Sequence, residues 1–334
     1  MTEKFPPVSF VIPIFNSGWL LRDCLFSIRN QNYPKNCVEI LIPDGGSQDN
    51  GPAIAKQYGA TVVPNPKILA EPGFMLGASL ARGELIVYMG ADNRLADRAW
   101  IRTMVKPFQD PDIIAAYPWH KSKKTSTWYT KYFNAFTDPI NHFILGDSAN
   151  PLYFRRVYDV IRNTANYEVY RFTIEKFPML AFDQGFMIRK SFKRNPQTEY
   201  DDILPVLDLI KMNHQIAFVK NAANYHLTLE LGFAQFSKKM RWIIDNNIGS
   251  DATDFGMPTR MKYYSLTRKV KLYVWPIYAI SIIGPIVVAI IGLARDRKKE
   301  WLYHPPITYI MLGLVVYEYL RVKIFHRKSL TGRQ

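Results

Sequence analysis

The sequence has only two cysteines, Cys24 and Cys37, among its 334 residues. Two thiols exclude a disulfide framework as the basis of the fold, and they also exclude a metal site built from several thiolates. A low cysteine content is typical of chains that fold in a reducing compartment. Because 48% of the residues are hydrophobic, the chain can bury a large core without such cross-links, and one large domain with additions is expected.

Acidic residues are also few, since 28 Asp and Glu stand against 43 Lys and Arg and give a formal net charge of +15. This excess favours an anionic partner, such as a nucleotide, a nucleic acid, a phospholipid headgroup or a phosphorylated substrate. The opening stretch MTEKFPPVSFVIPIF lacks the basic and apolar pattern of a secretory signal. We therefore expect the N-terminal domain to lie on the cytoplasmic side.

Strand-like and helix-like segments alternate along the first hundred residues. The segments VSFVIPIF, VEILIPDGG, ATVVPN and ELIVYMG are apolar runs typical of buried strands, whereas GWLLRDCLFSIRNQ, NGPAIAKQYG and GFMLGASLARG have the spacing or ends of helices. This order predicts an α/β fold with a parallel sheet and crossover helices. Two of the strand-like runs end in acids and glycines, at the position where open α/β sheets bind ligands.

Residues 115–180 mix aromatic side chains with Lys and Arg. Such a mixture is typical of a groove for single-stranded nucleic acid, of a membrane-facing surface, or of ordinary core helices with solvated lysines. The aromatic residues are Trp119, Trp128, Tyr129, Tyr132, Phe133, Phe136, Tyr153 and Phe154.

The C-terminal part contains two long apolar runs. The run from Leu272 to Ala294 has no charge, and a helix of that length, at about 1.5 Å per residue, crosses a hydrocarbon core of roughly 30 Å. The second run, PPITYIMLGLVVYEYL, is shorter and carries Glu318. Basic clusters precede, separate and follow the two runs, so a simple hairpin would place the middle cluster on the wrong side of a membrane. A re-entrant segment broken at Pro276 and Pro285 is the alternative, and either form favours a membrane over nucleic acid as the partner.

Four segments, in this order, resemble the inverting nucleotide-sugar glycosyltransferases of family 2, which have the GT-A fold. They are VSFVIPIFNSGWLLRDCLFSI, ILIPDGGSQDN, LARGELIVYMGADN and EYDDILPVLDLIKMNHQIAFV, and the resemblance covers Val8 to Trp242. It implies a Rossmann-like, mostly parallel sheet with flanking helices. The chain is then divided into a GT-A domain at 1–245, a linker at 246–271, transmembrane or re-entrant helices at 272–325, and a basic tail at 326–334. Within the GT-A domain, residues 115–180 would face an acceptor or a membrane.

The resemblance implies that the ends of the first two strands bind the nucleotide of the donor. Pro13, Phe15 and Asn16 would line its pocket. Asp44 would accept a hydrogen bond from the base, beside Gly45. An ordinary turn aspartate is the alternative for Asp44.

The resemblance also implies a site for Mg²⁺ or Mn²⁺ on the diphosphate of the donor. The Asp-x-Asp motif of the family corresponds here to GAD, in which Gly90 replaces the first acid and Asp92 remains, followed by Asn93. The loss of one carboxylate weakens this implication, although Mg²⁺ commonly uses one or two carboxylates together with substrate phosphates. His226, in NYHL, lies where some relatives place a further residue on the metal, and a structural histidine is its alternative.

The segment EYDDILP corresponds to the part of the family that carries the catalytic base. The base maps to Asp201, with Asp202 as the close rival, because an acceptor hydroxyl needs a carboxylate within hydrogen-bonding reach. Acids that only complement the dipole of a helix N-terminus are the alternative. Further on, QFSKKMRW resembles the Gln-x-x-Arg-Trp element of processive synthases at too long a spacing, so Arg241 and Trp242 are expected at the diphosphate or an anionic acceptor.

These implications together predict a membrane-anchored inverting hexosyltransferase. Its donor would be a UDP- or GDP-sugar, and its acceptor a hydroxyl of a lipid-linked or otherwise membrane-presented molecule. Its catalytic domain would lie on the cytoplasmic side of the cell membrane. One alternative acceptor is a polyprenyl phosphate, which is already ionised and needs no base. Another alternative is a nucleotide-binding GT-A protein without turnover, which the missing acid at Gly90 favours.

Overall fold

The computed structural model describes residues 5–193, 202–227, 232–248 and 257–325, and in these residues ten strands form one sheet. The strands are β1 (Val8–Val11), β2 (Val38–Asp44), β3 (Thr61–Pro64), β4 (Leu85–Met89), β5 (Asn93–Leu95), β6 (Ile113–Lys121), β7 (Val160–Asn163), β8 (Tyr167–Tyr170), β9 (Gln184–Arg189) and β10 (Gln215–His226). Their order across the sheet is β3-β2-β1-β4-β9-β6-β10-β8-β7, and β5 pairs with β10.

Strand direction determines which residues meet at one edge of the sheet. The strands β1 to β4 are parallel to one another, and β6 is parallel to β10. Because β9 is antiparallel to both β4 and β6, the strands β4 and β6 run in the same direction. Six strands therefore end at one edge, which we call the carboxyl edge, and β9 begins there.

Helices cover the sheet, and the predicted mixed α/β fold with a central sheet and flanking helices is confirmed. The side chains of Leu21, Leu25 and Ile28 on the first helix are buried in the same core as β1 and β4. The helices are α1 (Gly18–Arg29), α2 (Gly51–Gln57), α3 (Ala70–Leu80), α4 (Trp100–Val105), α5 (Trp128–Phe136), α6 (Pro139–Leu145), α7 (Leu204–Lys211), α8 (Phe233–Ile248), α9 (Met257–Met261), α10 (Leu266–Ile280), α11 (Ile283–Asp296) and α12 (His304–Tyr319).

The apolar run from Leu272 to Ala294 does not form one straight helix. It is divided between α10 and α11, whose axes are bent by 101° at Ser281 and Ile282. Ile282 has a φ of 52°, and Ser281 Oγ accepts a hydrogen bond from the Gly284 N–H just inside α11. The break therefore lies between the two prolines, since Pro276 is inside α10. In the described part of the chain no single helix meets the length and hydropathy that a membrane crossing requires, and only this bent pair meets them jointly.

The aromatic side chains of residues 115–180 lie largely inside the protein. Tyr129, Tyr132, Phe136 and Tyr153 are buried in a cluster with residues of α8, α10 and α12, and Phe154 is buried against the sheet. This placement is that of core helices, which the sequence left open as one alternative, and it differs from the membrane-facing aromatic surface that the apolar runs favoured. The reason is that α10 and α12 pack against the aromatic face of α5 and α6, so the segment joins the C-terminal helices to the sheet domain.

Candidate functional site

The carboxyl edge of the sheet brings together polar residues from distant parts of the sequence. Asp92 follows β4, His120 lies near the end of β6, and His226 is the last residue of β10. Asp183 directly precedes β9, and the Gly90 N–H donates a hydrogen bond to the Asp183 carbonyl at 2.6 Å. These side chains form the candidate site.

Asp92 is the centre of this site. His226 Nε2 lies 2.9 Å from Asp92 Oδ2, and Lys239 Nζ, from α8, donates to the same oxygen at 3.4 Å. Burial alone would raise the pKa of Asp92, but the charges and hydrogen bonds of His226 and Lys239 outweigh it and hold this pKa well below its ordinary value. Asp92 is therefore a stable carboxylate that can bind a cation.

Two glycines leave room at this edge. A Cβ at Gly90 would lie 2.7 Å from Asp92 Oδ1, so an acid in this position would displace the remaining carboxylate. Gly185 has a φ of 86°, and a Cβ there would lie 2.3 Å from the Asn224 side-chain nitrogen. Residues with side chains rarely adopt such a φ, so only glycine fits at this start of β9.

Two further acids lie around the site, Asp202 before α7 and Glu71 at the start of α3. The Phe182 N–H donates to the Asp202 carbonyl at 3.0 Å, which brings Asp202 next to Asp183. Burial, together with the charges of Asp202 and Asp92, raises the pKa of Asp183 to about 8. Burial also raises the pKa of Glu71 to about 7, and the charge of Asp202 contributes to the rise.

Several buried polar atoms at this edge have no hydrogen-bond partner within the described residues. They are Asp183 Oδ1, His120 Nε2 and Asn93 Oδ1. Burial, followed by the charge of His226, lowers the pKa of His120 to about 3, so this imidazole is neutral. Buried polar atoms are nearly always bonded, so such a group of open donors and acceptors is typical of a site that binds a polar ligand.

A cavity of about 430 Å³ opens at the ends of β2 and β3. Asp44 and Gly45 line it, together with Lys56, Asn65 and Ile68. Its volume is in the range of about 300 to 1,000 Å³ that small-molecule sites have. The cavity is therefore a candidate for the nucleoside of a donor.

The residues predicted at the nucleotide occupy different places relative to this cavity. The Ser47 hydroxyl donates to Asp44 Oδ1 at 2.6 Å, so Asp44 also has the turn role that was its alternative. Phe15 lies beside Gly45, and Asn16 accepts a hydrogen bond from the Gln48 N–H; both residues are on the loop that follows β1. Pro13 packs against Gly73 and, like Phe15 and Asn16, is not among the residues that line the cavity.

The predicted catalytic and acceptor residues are only partly described. Asp201 lies outside the described residues. Arg260 Nη2 donates to Asp202 Oδ1 at 2.7 Å, so one oxygen of that carboxylate is paired. Arg241 Nε donates to Glu318 Oε1 at 2.5 Å, which directs Arg241 to α12 and away from Asp92. Trp242 follows it on α8 and is half-buried.

Sequence reasoning missed Asp183, His120, Glu71 and Lys239. Asp183 precedes the strand β9. A residue before a strand lies at the carboxyl edge only if that strand is antiparallel to its neighbours, and the sequence does not show this direction. Lys239 lies in the QFSKKMRW segment, two positions before Arg241. Across the described ranges no group of three or more His, Cys, Asp or Glu side chains is close enough to hold a metal ion without other ligands.

Comparison with known proteins assigns this arrangement to a family. Residues 9–183, more than half of the chain, match the sequence model described as glycosyl transferase family 2. The glycosyltransferase AglE of Haloferax volcanii is 41% identical over 71 residues, which are 21% of this chain and 23% of AglE. A poly(ribitol-phosphate) beta-glucosyltransferase of Bacillus spizizenii is 31% identical over 102 residues, which are 28% of this chain and 16% of that enzyme. The chain thus matches less than a quarter of the length of either relative.

A solved structure extends the likeness to nearly the whole chain. The mannosyltransferase PcManGT of Pyrobaculum calidifontis, determined in complex with GDP-Man and Mn²⁺, superimposes with a TM-score of 0.55. The superposition covers 94% of this chain and 87% of that structure at 14% sequence identity. At this identity the likeness concerns the fold.

Proposed function

The chain belongs to glycosyl transferase family 2, and on that premise we propose that it is a hexosyltransferase. It transfers a sugar, with inversion at the anomeric carbon, from a UDP- or GDP-sugar to a membrane-presented acceptor. The observation that carries this proposal is the pair of Asp92 and His226 at the carboxyl edge, on the same edge as the cavity beside Asp44. A donor would extend from that cavity to Asp92.

The pair of Asp92 and His226 fits a divalent cation. Asp92 Oδ2 and His226 Nε2 lie 2.9 Å apart, so both atoms would be able to contact one cation. Two protein ligands suffice when substrate phosphates supply others. When bound, Mg²⁺ or Mn²⁺ supplies positive charge to the leaving diphosphate. Lys239 Nζ, which lies 3.4 Å from the same Asp92 oxygen, would supply a further positive charge to that diphosphate.

Transfer to a hydroxyl requires a carboxylate that accepts the proton. The acceptor oxygen forms its bond to the anomeric carbon while the bond from that carbon to the diphosphate oxygen breaks, and the electron pair leaves with the nucleoside diphosphate. Asp201 or Asp202 takes the proton of the hydroxyl. Asp183 Oδ1 is buried and has no hydrogen-bond partner among the described residues, so it can form a hydrogen bond with a hydroxyl of the sugar or of the acceptor.

A polyprenyl phosphate is the second candidate acceptor, and the pairing of Asp202 with Arg260 favours it. Arg260 Nη2 donates to Asp202 Oδ1 at 2.7 Å, so one of the two oxygens that would accept the proton of a hydroxyl is already engaged. An acceptor that is already ionised needs no base. The net charge of +15 and the apolar α10 and α11 accord with a lipid-linked or otherwise membrane-presented acceptor. We place the catalytic domain on the cytoplasmic side of the cell membrane.

Ligand-induced thermal stabilisation of the whole protein tests the donor part of the proposal. UDP, GDP, ADP and CDP are compared with and without Mn²⁺, and one nucleotide is expected to raise the melting temperature only when Mn²⁺ is present, since a bound ligand stabilises by mass action. Release of nucleoside diphosphate from the matching sugar donor then reports turnover. Binding without any release would support the nucleotide-binding alternative, and no binding at all would refute the proposed function.

A further inference from the structure

The helices α10 and α11 bury one side each in the same hydrophobic cluster. On α10 this side carries Trp275 and Ala279, and on α11 Val288 and Leu293 pack against the same cluster. The cluster also contains Trp301, and Gly292 is so close to this indole that a Cβ would lie 2.3 Å from it. The two helices are therefore fixed to one support, despite the 101° bend between them.

The opposite sides of the two helices are apolar and exposed. Most of the large apolar side chains that are exposed in the described residues lie between 266 and 325, and Tyr273 and Ile283 are 72% and 70% exposed. We define the outer face as the exposed apolar residues of this helix pair. They are Leu266, Val270, Tyr273, Val274, Ile277, Ile280, Ile282, Ile283, Ile286, Val287, Ile290 and Ile291.

The spacing of these residues makes the outer face continuous along both helices. On α10 they recur every three or four positions from Leu266 to Ile280, which is one stripe of a helix. On α11 they recur in the same way from Ile283 to Ile291. Because both helices pack on one support, both stripes point away from it. Contiguous exposed apolar surface of this kind marks a protein or membrane contact.

Unpaired cations border the outer face. Lys269 lies near the start of α10, and Arg297 and Lys299 follow the end of α11; within the described ranges none of these three has an ion pair. An apolar helix face bordered by Lys and Arg is the pattern of helices that lie in the interface of anionic membranes. A second copy of this chain, also at +15, would instead bring like charges together.

We propose that the outer face is a membrane-binding surface that lies in one leaflet, with α10 and α11 in the plane of the interface and anionic lipid headgroups at the bordering cations. In this position neither helix crosses the bilayer, and the basic residues before α10 and after α11 remain on the same side. The conflict between the middle basic cluster and a membrane hairpin then disappears. The proposal gives the mode of membrane contact, which the proposed function leaves open.

Flotation of the full-length protein with lipid vesicles tests this surface. Vesicles of phosphatidylcholine alone are compared with vesicles that contain phosphatidylglycerol. The double variant Ile277→Glu and Ile290→Glu places one charge on each helix of the outer face, and we expect it to bind anionic vesicles at least tenfold more weakly than the wild type. The matched control is Ile161→Glu on β7, whose side chain is 42% exposed and apolar but lies outside the outer face, and it should bind as the wild type does.

A second variant tests the cations separately. Arg297→Glu with Lys299→Glu should weaken binding to the anionic vesicles and change binding to the neutral vesicles little, whereas Lys106→Glu, an exposed lysine beside α4, should leave both unchanged. Circular dichroism and thermal melts establish that each variant is folded.

Three outcomes would overturn the proposal. The first is wild-type vesicle binding by the outer-face double variant. The second is binding of the wild type to neither kind of vesicle. The third is an oligomeric wild type and a monomeric double variant, as measured by light scattering, with vesicle binding unchanged. The outer face would then join copies of the chain. Donor hydrolysis, measured in the same samples, separates the membrane proposal from the proposed function. If the protein floats with vesicles as expected but hydrolyses no donor, only the proposed function is refuted.

Discussion

His226 Nε2 lies 2.9 Å from Asp92 Oδ2, although the two residues are 134 positions apart in the sequence. The short strand β5 explains this contact, because it begins at Asn93 and pairs with β10 so that Asn93 stands opposite His226. The Leu227 N–H also donates to the Asp92 carbonyl at 2.6 Å. Backbone pairing thus fixes the carboxylate and the imidazole relative to each other before any ligand binds.

Asp92→Asn should weaken the Mn²⁺-dependent binding of a nucleoside diphosphate, because the amide has the size of the carboxylate without its charge. His226→Gln should weaken it by about 10- to 100-fold, the usual cost of disturbing the shell of a metal site. Isothermal titration with UDP and GDP, with and without Mn²⁺, measures both. His214→Gln is the control, since this histidine, after α7, makes an edge-to-face contact with Phe192 and is not part of the pair. Unchanged affinity in both site variants would remove the metal assignment.

Asp201→Asn or Asp202→Asn should reduce transfer to a hydroxyl acceptor by about 10²- to 10⁴-fold, the range for loss of a general base, with little change in donor affinity. Arg260→Gln separates the base from the ion pair, because it removes the charged partner of Asp202 and leaves the carboxylate in place. Initial rates at saturating donor measure the effect. If Arg260→Gln is as harmful as Asp202→Asn, the role of Asp202 is structural. If both aspartate variants transfer normally, an ionised lipid phosphate becomes the better acceptor.

Arg241→Met should lower the free energy of unfolding and leave the donor KM unchanged. Arg241 and Arg321 both donate to the fully buried Glu318, and Arg321 also pairs with the buried Asp245. A hydrogen bond to a charged group contributes about 1.5 to 3 kcal/mol, and Glu318 keeps one partner, so the loss should lie in that range. Urea unfolding measures it. A raised donor KM with normal stability would instead restore Arg241 to the diphosphate, as the sequence suggested.

Glu71→Gln should stabilise the protein at pH 8 and leave it unchanged below about pH 4. The folded pKa of Glu71 is raised to about 7 from an ordinary value of 4.5, mainly by burial. Between these two values the folded state holds a proton that the unfolded state has lost, so stability falls as the pH rises through this window. Glutamine mimics the protonated acid and does not titrate. Melting temperatures of both proteins from pH 3.5 to 8.5 should diverge through the window, and parallel curves would contradict the assignment.

The sequence by itself determined the class of fold and most strand ends of the site. Alternating apolar runs and helix patterns are local signals, and they were sufficient for the mixed α/β sheet. Ordered segments such as ILIPDGGSQDN and LARGELIVYMGADN were sufficient to indicate the family and to select Asp44 and Asp92. The position of an acid or glycine that follows a buried strand can be predicted from the sequence, because the end of that strand lies at the edge of the sheet.

The tertiary structure alone decided which residues surround Asp92 and where the charged residues of α8 point. Asp183 belongs to the site because β9 is antiparallel to its neighbours, and strand direction depends on pairing with β4 and β6, residues far away in sequence. Arg241 could not be placed from its own segment, since its partner Glu318 lies 77 positions later. The bend between α10 and α11 was likewise hidden, because an uninterrupted apolar run satisfies a straight helix and a broken one equally well. Only packing of both helices against the cluster around Trp301 selected the broken form.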